Sequence, residues 1–376
     1  MKKLLYLFLV ITVACSSGDD STTPDSNDTT PPVITLIGSA NVSVTQGENY
    51  TDEGATATDN VDGDLTSNIS VSGSVDTATI GNYTLTYNVS DSSGNSASAI
   101  RNVNVVQAPV CANGEVVYLD ANGVTIKACP NAQIGDTGNV NGFTYTIVSE
   151  QQLRDYVNSG YLELNRLVTT QVTNMGGLFF DKQEFNQDIS SWDTSNVTNM
   201  SAMFYSATLF NQPIGGWDLS NVTDISGMFY RAISFNQPIG GWNTSNVTNM
   251  SGTFYEALYF DQPIGNWNTE NVTDMSAMFS GGISYFTQFN QDISNWDTSN
   301  VTIMTNMFKQ TAFFNQDISG WDVSNVTDME QMFMYAQYFN QDLSSWDVSN
   351  VENCEYFDLN TDNWTLPIPN FTNCVP

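Results

Sequence analysis

Residues 185–204 read FNQDISSWDTSNVTNMSAMF, and residues 210–229 read FNQPIGGWDLSNVTDISGMF. The wording returns around Trp192, Trp217, Trp242, Trp267, Trp296, Trp321 and Trp346, in steps of 25 residues broken once by a step of 29. A half unit, VTNMGGLF at 172–179, precedes the first full one. Self-similarity at such a period is the mark of a solenoid, because one unit cannot bury its apolar face until a neighbour stacks on it. Within a unit, Val197, Met200, Met203, Phe204 and Ala207 are spaced 3, 3, 1 and 3, which predicts a helix of about two turns. Thr198 and its equivalents Thr223, Thr248, Thr273, Thr302 and Thr327 stand where N-caps belong. Asp224, Asp274 and Asp328 follow directly, as suits a helix N-terminus. Ile214–Trp217 reads as a strand, with Pro213, Pro238 and Pro263 at or before its start, since proline cannot donate to a ladder. Asn196 and its equivalents are expected to stack and bond backbone between coils.

The tryptophan row reads as core and not as a sugar-stacking platform. A buried indole removes roughly 150–250 Å² from water, so at ~25 cal/mol/Å² each coil gains ~4–6 kcal/mol gross. The threonine caps contribute about 1 kcal/mol each. The methionine rows read as core filler. One coil breaks period: SGGISYFTQ at 280–288 adds four residues. Ile283, Tyr285 and Phe286 there form either an apolar contact for a partner or a lengthened turn packed on its own coil. Cys354 replaces a core methionine in the last coil, and Cys374 lies near the end. A bridge between them would fold Trp364, Leu366, Ile368 and Phe371 over the open end of the stack.

Upstream, 108–160 reads as the opposite cap. Glu115–Lys127 forms a hairpin about Asn122-Gly123, and Asn141–Val148 is a strand. Ser149-Glu150-Gln151-Gln152 is a capping box opening a helix to about Asn158. With Cys15 set aside, Cys111, Cys129, Cys354 and Cys374 allow three pairings. The local ones, 111–129 and 354–374, are preferred. Residues 33–107 carry short alternating runs such as Tyr83–Val89 and read as a small β-sandwich. Asp59, Asp62 and Asp64 concentrate oxygen ligands in one loop, and Asp52, Glu53 and Asp91 could join them. That loop is either a Ca²⁺ site or an Asx/Gly-rich turn. Residues 16–32 hold no large apolar side chain, so 15–32 reads as a flexible tether. Met1-Lys2-Lys3 and the apolar run Leu4–Val13 before Ala14-Cys15 read as a signal peptide, 1–14.

The chain has 376 residues, 9 Lys+Arg against 40 Asp+Glu, and no histidine. The charge excess disfavours nucleic acid and anionic membrane surfaces as partners. Absence of histidine excludes Ser-His-Asp and Cys-His catalysis. What remains is carboxylate chemistry, oxygen-ligated Ca²⁺ or no chemistry.

The Ala14-Cys15 junction resembles a bacterial lipobox, which implies lipidation at Cys15. Ser16 resembles an outer-membrane sorting residue, and Asp19-Asp20 resembles the export signal of surface-exposed lipoproteins. The PPVITLIG, YTDEGATATDNVDGDLT and GNYTLTYNVSDSSGNSA stretches resemble Ig-like, hyalin-repeat-type domains of bacterial surface proteins, which usually act as spacers. The FNQDISSWDTSNVTNMSAMF wording with GNVNGFTYTIVSEQQLRDYV resembles BspA-type leucine-rich-repeat surface lipoproteins with 25/26-residue repeats. The resemblance implies adhesion or protein binding and no catalytic residues. The resulting expectation is a multidomain chain, an Ig-like sandwich followed by an α/β leucine-rich-repeat solenoid over 161–376 with a short strand and a short helix per coil. It would be an outer-membrane lipoprotein exposed at the cell surface, not an enzyme, touching membrane through its lipid alone and binding an extracellular protein. A glycan reading uses Tyr205, Tyr230, Tyr255 and Tyr335, and a carboxylate-dependent glycosidase ranks last because the acids recur with the repeat.

Overall fold

The computed structural model describes residues 28–106, 111, 115–282 and 286–376. Chain contacts divide it into two compact units. The first comprises Ala55–Val71, Thr86–Ala99 and the described residues up to Thr35. The second comprises Leu36–Gly54, Ser72–Leu85 and the chain from Ile100 onward.

Residues 33–106 contain strands and no α-helix. The strands are β1 (Val33–Leu36), β2 (Asn41–Thr45), β3 (Ala55–Asp59), β4 (Gly63–Asp64), β5 (Ser70–Ser72), β6 (Gly81–Ser90) and β7 (Ser96–Val106). They form one sheet of order β1-β3-β4 and another of order β2-β7-β6-β5. In the first unit Ala57, Leu65 and Val89 make a small core, with Ile34, Ile69 and Ala97 against it. In the second unit β2 pairs parallel with β7, Asn41 opposite Asn102. Arg101 is buried there with its guanidinium satisfied by the carbonyls of Ser39, Ile37 and Gly54 and by Asp52.

The hairpin expected at Asn122-Gly123 is β8 (Val117–Leu119) against β9 (Ile126–Ala128), and a disulfide joins Cys111 to Cys129. A second hairpin, β10 (Thr137–Val140) with β11 (Phe143–Ile147), turns at Asn141-Gly142, both at positive φ as a two-residue turn requires. Helix α1 (Glu150–Asn158) opens on the Ser149/Gln152 capping box. β12 (Leu167–Val168) then pairs parallel with β11. Arg154 on α1 donates to the carbonyls of Asn174 and Gly176, which no preceding coil reaches. The β8–β9 hairpin bonds onward through Ile126 N–H to the Ser191 carbonyl. The whole segment therefore closes the first coil.

Successive coils are joined by parallel bridges at one position, Asn174–Asn199–Asp224–Asn249–Asp274–Ile303–Asp328–Asn353. The expected helix per coil does not form; α1 is the one α-helix among the described residues. Instead alternate N–H groups leave the coil. Those of Met200, Ala202, Phe204 and Ser206 donate to the carbonyls of Asp224, Ser226, Met228 and Tyr230 in the next coil. The N–H groups between them close turns three residues back, Met203 to Met200, Tyr205 to Ala202 and Ala207 to Phe204. Ala202 and Ser206 take φ of 52° and 56°, which no right-handed helix accommodates. The pair recurs as Gly227 with Arg231 and Gly252 with Glu256. A chain of tight turns places the same residues inward as a helix would, while sending its ladder bonds sideways. The expected strand at Ile214–Trp217 is likewise a turn, closed by Trp217 N–H on the Ile214 carbonyl.

The threonines are not N-caps. Thr198 donates both its N–H and its hydroxyl to the Thr173 carbonyl, and Thr223, Thr248, Thr273, Thr302 and Thr327 repeat the arrangement coil upon coil. The asparagine stack does form: Asn196, Asn221 and Asn246 donate to the carbonyls of Thr170, Ser195 and Ser220. A second ladder runs through the F-N-Q triplet, where Asn186 Oδ1 accepts from Asn211 N–H and Gln212 Nε2.

Every indole of the row is buried. Five of the six neighbouring indole pairs lie 6.1 to 6.5 Å apart, nearly parallel. Each N–H donates to the carbonyl of the isoleucine, or of Leu164 for the first, one coil earlier at 2.9–3.3 Å. A buried indole needs such a partner. Phenylalanines pack beside them in pairs, as Phe204 with Phe210 at 3.9 Å.

At the far end a disulfide joins Cys354 to Cys374, and Trp364 and Phe371 pack on the core. Trp364 meets Phe339 edge-on at 4.7 Å. Leu366 and Ile368, expected to cover the core as well, are exposed; the Pro367 carbonyl between them is turned inward to accept from Leu343 N–H.

Candidate functional site

Two rows of apolar groups reach the surface of the coils. Phe180, Tyr205, Tyr230 and Tyr255 occupy one register position and stack face to face, with ring centroids 4.5, 4.4 and 4.2 Å apart. The turn that follows puts Leu209, Tyr259, Phe313 and Tyr338 at a second position, all exposed, with the polar Ser234 and Gln288 at that position in the coils between. Phe313 and Tyr338 stack at 5.8 Å. The spacing follows from the ladder: equivalent residues sit one coil apart, close enough for rings to touch. The tyrosine row ends at Ser280 in the lengthened coil, which is buried. Tyr230, between two rings, has its hydroxyl pushed well above the ordinary tyrosine pKa, by burial first and then by Tyr255 and Tyr205. Tyr335 does not join the row; it lies one residue further on, at a positive φ of 62°.

Of the lengthened coil's contact residues, Phe286 is exposed, and Ile283 and Tyr285 lie outside the described residues. Thr287 beside them is buried and donates to the Phe279 carbonyl. Cys15 also lies outside the described residues.

The repeated acids are engaged in turns. Asp188, Asp292, Asp317 and Asp342 each accept the N–H of a serine two residues on. Asp297, Asp322 and Asp347 do the same one turn later. These bonds hold Asp317, Asp322, Asp342 and Asp347 below the usual carboxylate pKa, the direction opposite to that of a general acid.

In the first unit the loop after β3 does not gather Asp59, Asp62 and Asp64 on one point. Asp62 accepts from Ser92 N–H and hydroxyl, and Asp64 accepts from Thr66 N–H. Asp59 instead meets Asp28 and Asp91, one carboxylate oxygen from each lying within 4.8 Å of the others. Burial opposes the charge on Asp91, but bonds from Asn95, Gly94 and Ser93 outweigh it and hold its carboxyl below the ordinary value. Asp28 escapes sequence reasoning because it stands in a stretch that reads as tether.

Stacked 25-residue coils behind an all-β module define a modular, repeat-built protein. The repeats match the family described as Mycoplasma protein of unknown function, DUF285, over residues 151–265, 212–287 and 248–371, more than half of the chain, and the chain belongs to that family. Residues 34–105 match the bacterial surface protein, Ig-like domain. No curated protein matches the chain. Among solved structures, the crystal structure of the lipoprotein BT2262 from Bacteroides thetaiotaomicron is similar at 23% identity with a TM-score of 0.20. The likeness covers 23% of this chain and 42% of that one, so the chain spans less than half of that protein's length. Among the described residues no helix is long and apolar enough to cross a membrane.

Proposed function

We propose that this is a surface lipoprotein of the outer membrane, anchored through Cys15, whose leucine-rich-repeat-like solenoid binds an extracellular protein without catalysis. The observation that carries the reading is the pair of apolar rows on the coils. Leu209, Tyr259, Phe313 and Tyr338 recur at one register position and remain exposed. Aligned exposed aromatics suit a protein partner, which covers large amphipathic side chains at low entropic cost. The stacked tyrosine row supports protein over glycan. Sugar rings stack on free aromatic faces, and the faces of Tyr205, Tyr230 and Tyr255 are spent on one another. The engagement of the repeated acids in turns supports binding over hydrolysis.

The test compares the full chain with a Tyr259→Ser/Phe313→Ser/Tyr338→Ser variant against immobilised extracellular-matrix proteins and a glycan array. Saturable protein binding that falls at least tenfold in the variant is the expected result. Glycan binding indifferent to the substitutions, with no protein bound, would replace this reading.

A further inference from the structure

We propose that Asp28, Asp59 and Asp91 bind one Ca²⁺ ion, which ties the chain just ahead of β1 to the turns after β3 and β6. Among the described residues four buried side-chain oxygens lack a hydrogen-bond partner, and two of them, Asp28 Oδ2 and Asp59 Oδ2, belong to this cluster. Both are sealed from solvent. Each carboxylate is held by its other oxygen: Asp28 Oδ1 accepts from Thr30 N–H at 3.0 Å, and Asp59 Oδ1 from Val61 and Asp62 N–H at 2.8 and 3.0 Å. Asp91 is itself only 7% exposed and is fixed by Asn95, whose N–H and side-chain amide bond its two oxygens at 2.8 and 2.7 Å. Asn95 also donates to the Asp28 carbonyl at 3.1 Å, drawing the incoming chain onto the turn.

A buried carboxylate oxygen with no partner is costly, and three converging carboxylates repel one another. The ion pairs among the described residues, Arg101–Asp52, Lys127–Asp120, Arg154–Glu150 and Arg231–Glu256, bring no base to them. A cation supplies both the missing partner and the missing charge. The donor set is all oxygen, which selects a hard ion over zinc. One oxygen from each carboxylate lies within 4.8 Å of the others, a separation that two Ca²⁺–O bonds of about 2.4 Å can bridge. Water can fill the remaining positions.

The three ligands come from points about 30 residues apart, and Asp28 precedes every strand. The ion thus acts as a clasp on the point where the chain enters the Ig-like module. This inference is independent of what the coils bind.

The experiment is calorimetric titration of CaCl₂ into the full chain in detergent after EDTA treatment, beside Asp28→Asn and Asp64→Asn variants. Asp28 lies outside the strands, so its amide variant tests ligation without dismantling a sheet. Expected are one Ca²⁺ per chain, at least tenfold weaker binding in Asp28→Asn, binding unchanged in Asp64→Asn, and a raised unfolding temperature with Ca²⁺ in the parent. Absence of heat and of any temperature shift in the parent would overturn the proposal. So would binding to Asp28→Asn as tight as to the parent.

Discussion

Gly240 and Gly241 are neighbours in one turn, and the structure predicts opposite responses to alanine. A Cβ on Gly240 would stand 2.2 Å from the Pro263 carbonyl oxygen of the next coil. Gly215 meets the Pro238 carbonyl at 2.3 Å and Gly265 the Asp292 carbonyl at 2.4 Å, so the close approach is built into the stack. Carbon–oxygen contacts rarely fall below ~3.2 Å, so Gly240→Ala must push neighbouring coils apart locally by about 1 Å, an overpacking worth roughly 1–3 kcal/mol. Around Gly241 a Cβ meets nothing within 4 Å, and its backbone is not among those at positive φ. Gly241→Ala should therefore be neutral or stabilise by ~0.4–1 kcal/mol through the unfolded chain. Urea unfolding followed by tryptophan emission measures both. The midpoint should fall for Gly240→Ala and hold or rise for Gly241→Ala, with similar slopes. Equal midpoints would refute the claim that the coils touch through this carbonyl.

The same position pairs with its neighbour: coils with proline carry P-I-G, and coils with aspartate carry D-I-S, or D-L-S in the last, whose serine N–H bonds the aspartate. Pro238→Asp should thus reduce the cost of Gly240→Ser, by at least ~0.5 kcal/mol in a double-mutant cycle. Because folding raises the Tyr230 pKa, its contribution is fully present below the unfolded value of 10.0 and is lost as pH climbs beyond it. Tyr230→Phe should flatten the alkaline loss of stability measured by urea midpoints above that pH. Asp317 and Asp322 act in the opposite sense, their contribution present above 3.8 and lost as pH falls below it. Cys354→Ser should cost ~2–5 kcal/mol, seen as a lowered thermal midpoint and faster exchange of amides in the last coil.

Much of the fold is legible in the residues themselves. The period alone locates the stack, and an indole recurring at that period reads as core, since regular aromatics are more often inside than out. Asn122-Gly123, the Ser149/Gln152 box and the two local cysteine pairs carry their meaning in a few adjacent residues. The helix reading fails because inward spacings of 3, 3, 1 and 3 belong equally to successive tight turns. What separates the two is where the N–H groups go, and that depends on the neighbouring coil. A clue is present: glycine recurs at 177, 227 and 252, a position an exposed helix would not leave to glycine. Thr198 illustrates the same limit, since a hydroxyl beside a free carbonyl looks alike as cap or as ladder rung. The acidic cluster is half legible. Asp59 and Asp91 stand in loops rich in oxygen, but Asp62 and Asp64 are satisfied locally, and Asp28 reaches the site only through the fold.

Hydrogen exchange of the indole N–H groups, followed by NMR on the full chain, tests the stack most directly. Seven of the eight tryptophans donate that proton to a carbonyl one coil away in a dry interior. Their exchange should require opening of the coils, slowing it by several orders of magnitude relative to free indole. Exchange of these seven at the rate of a solvated indole would contradict the buried column and the coil-on-coil architecture built upon it.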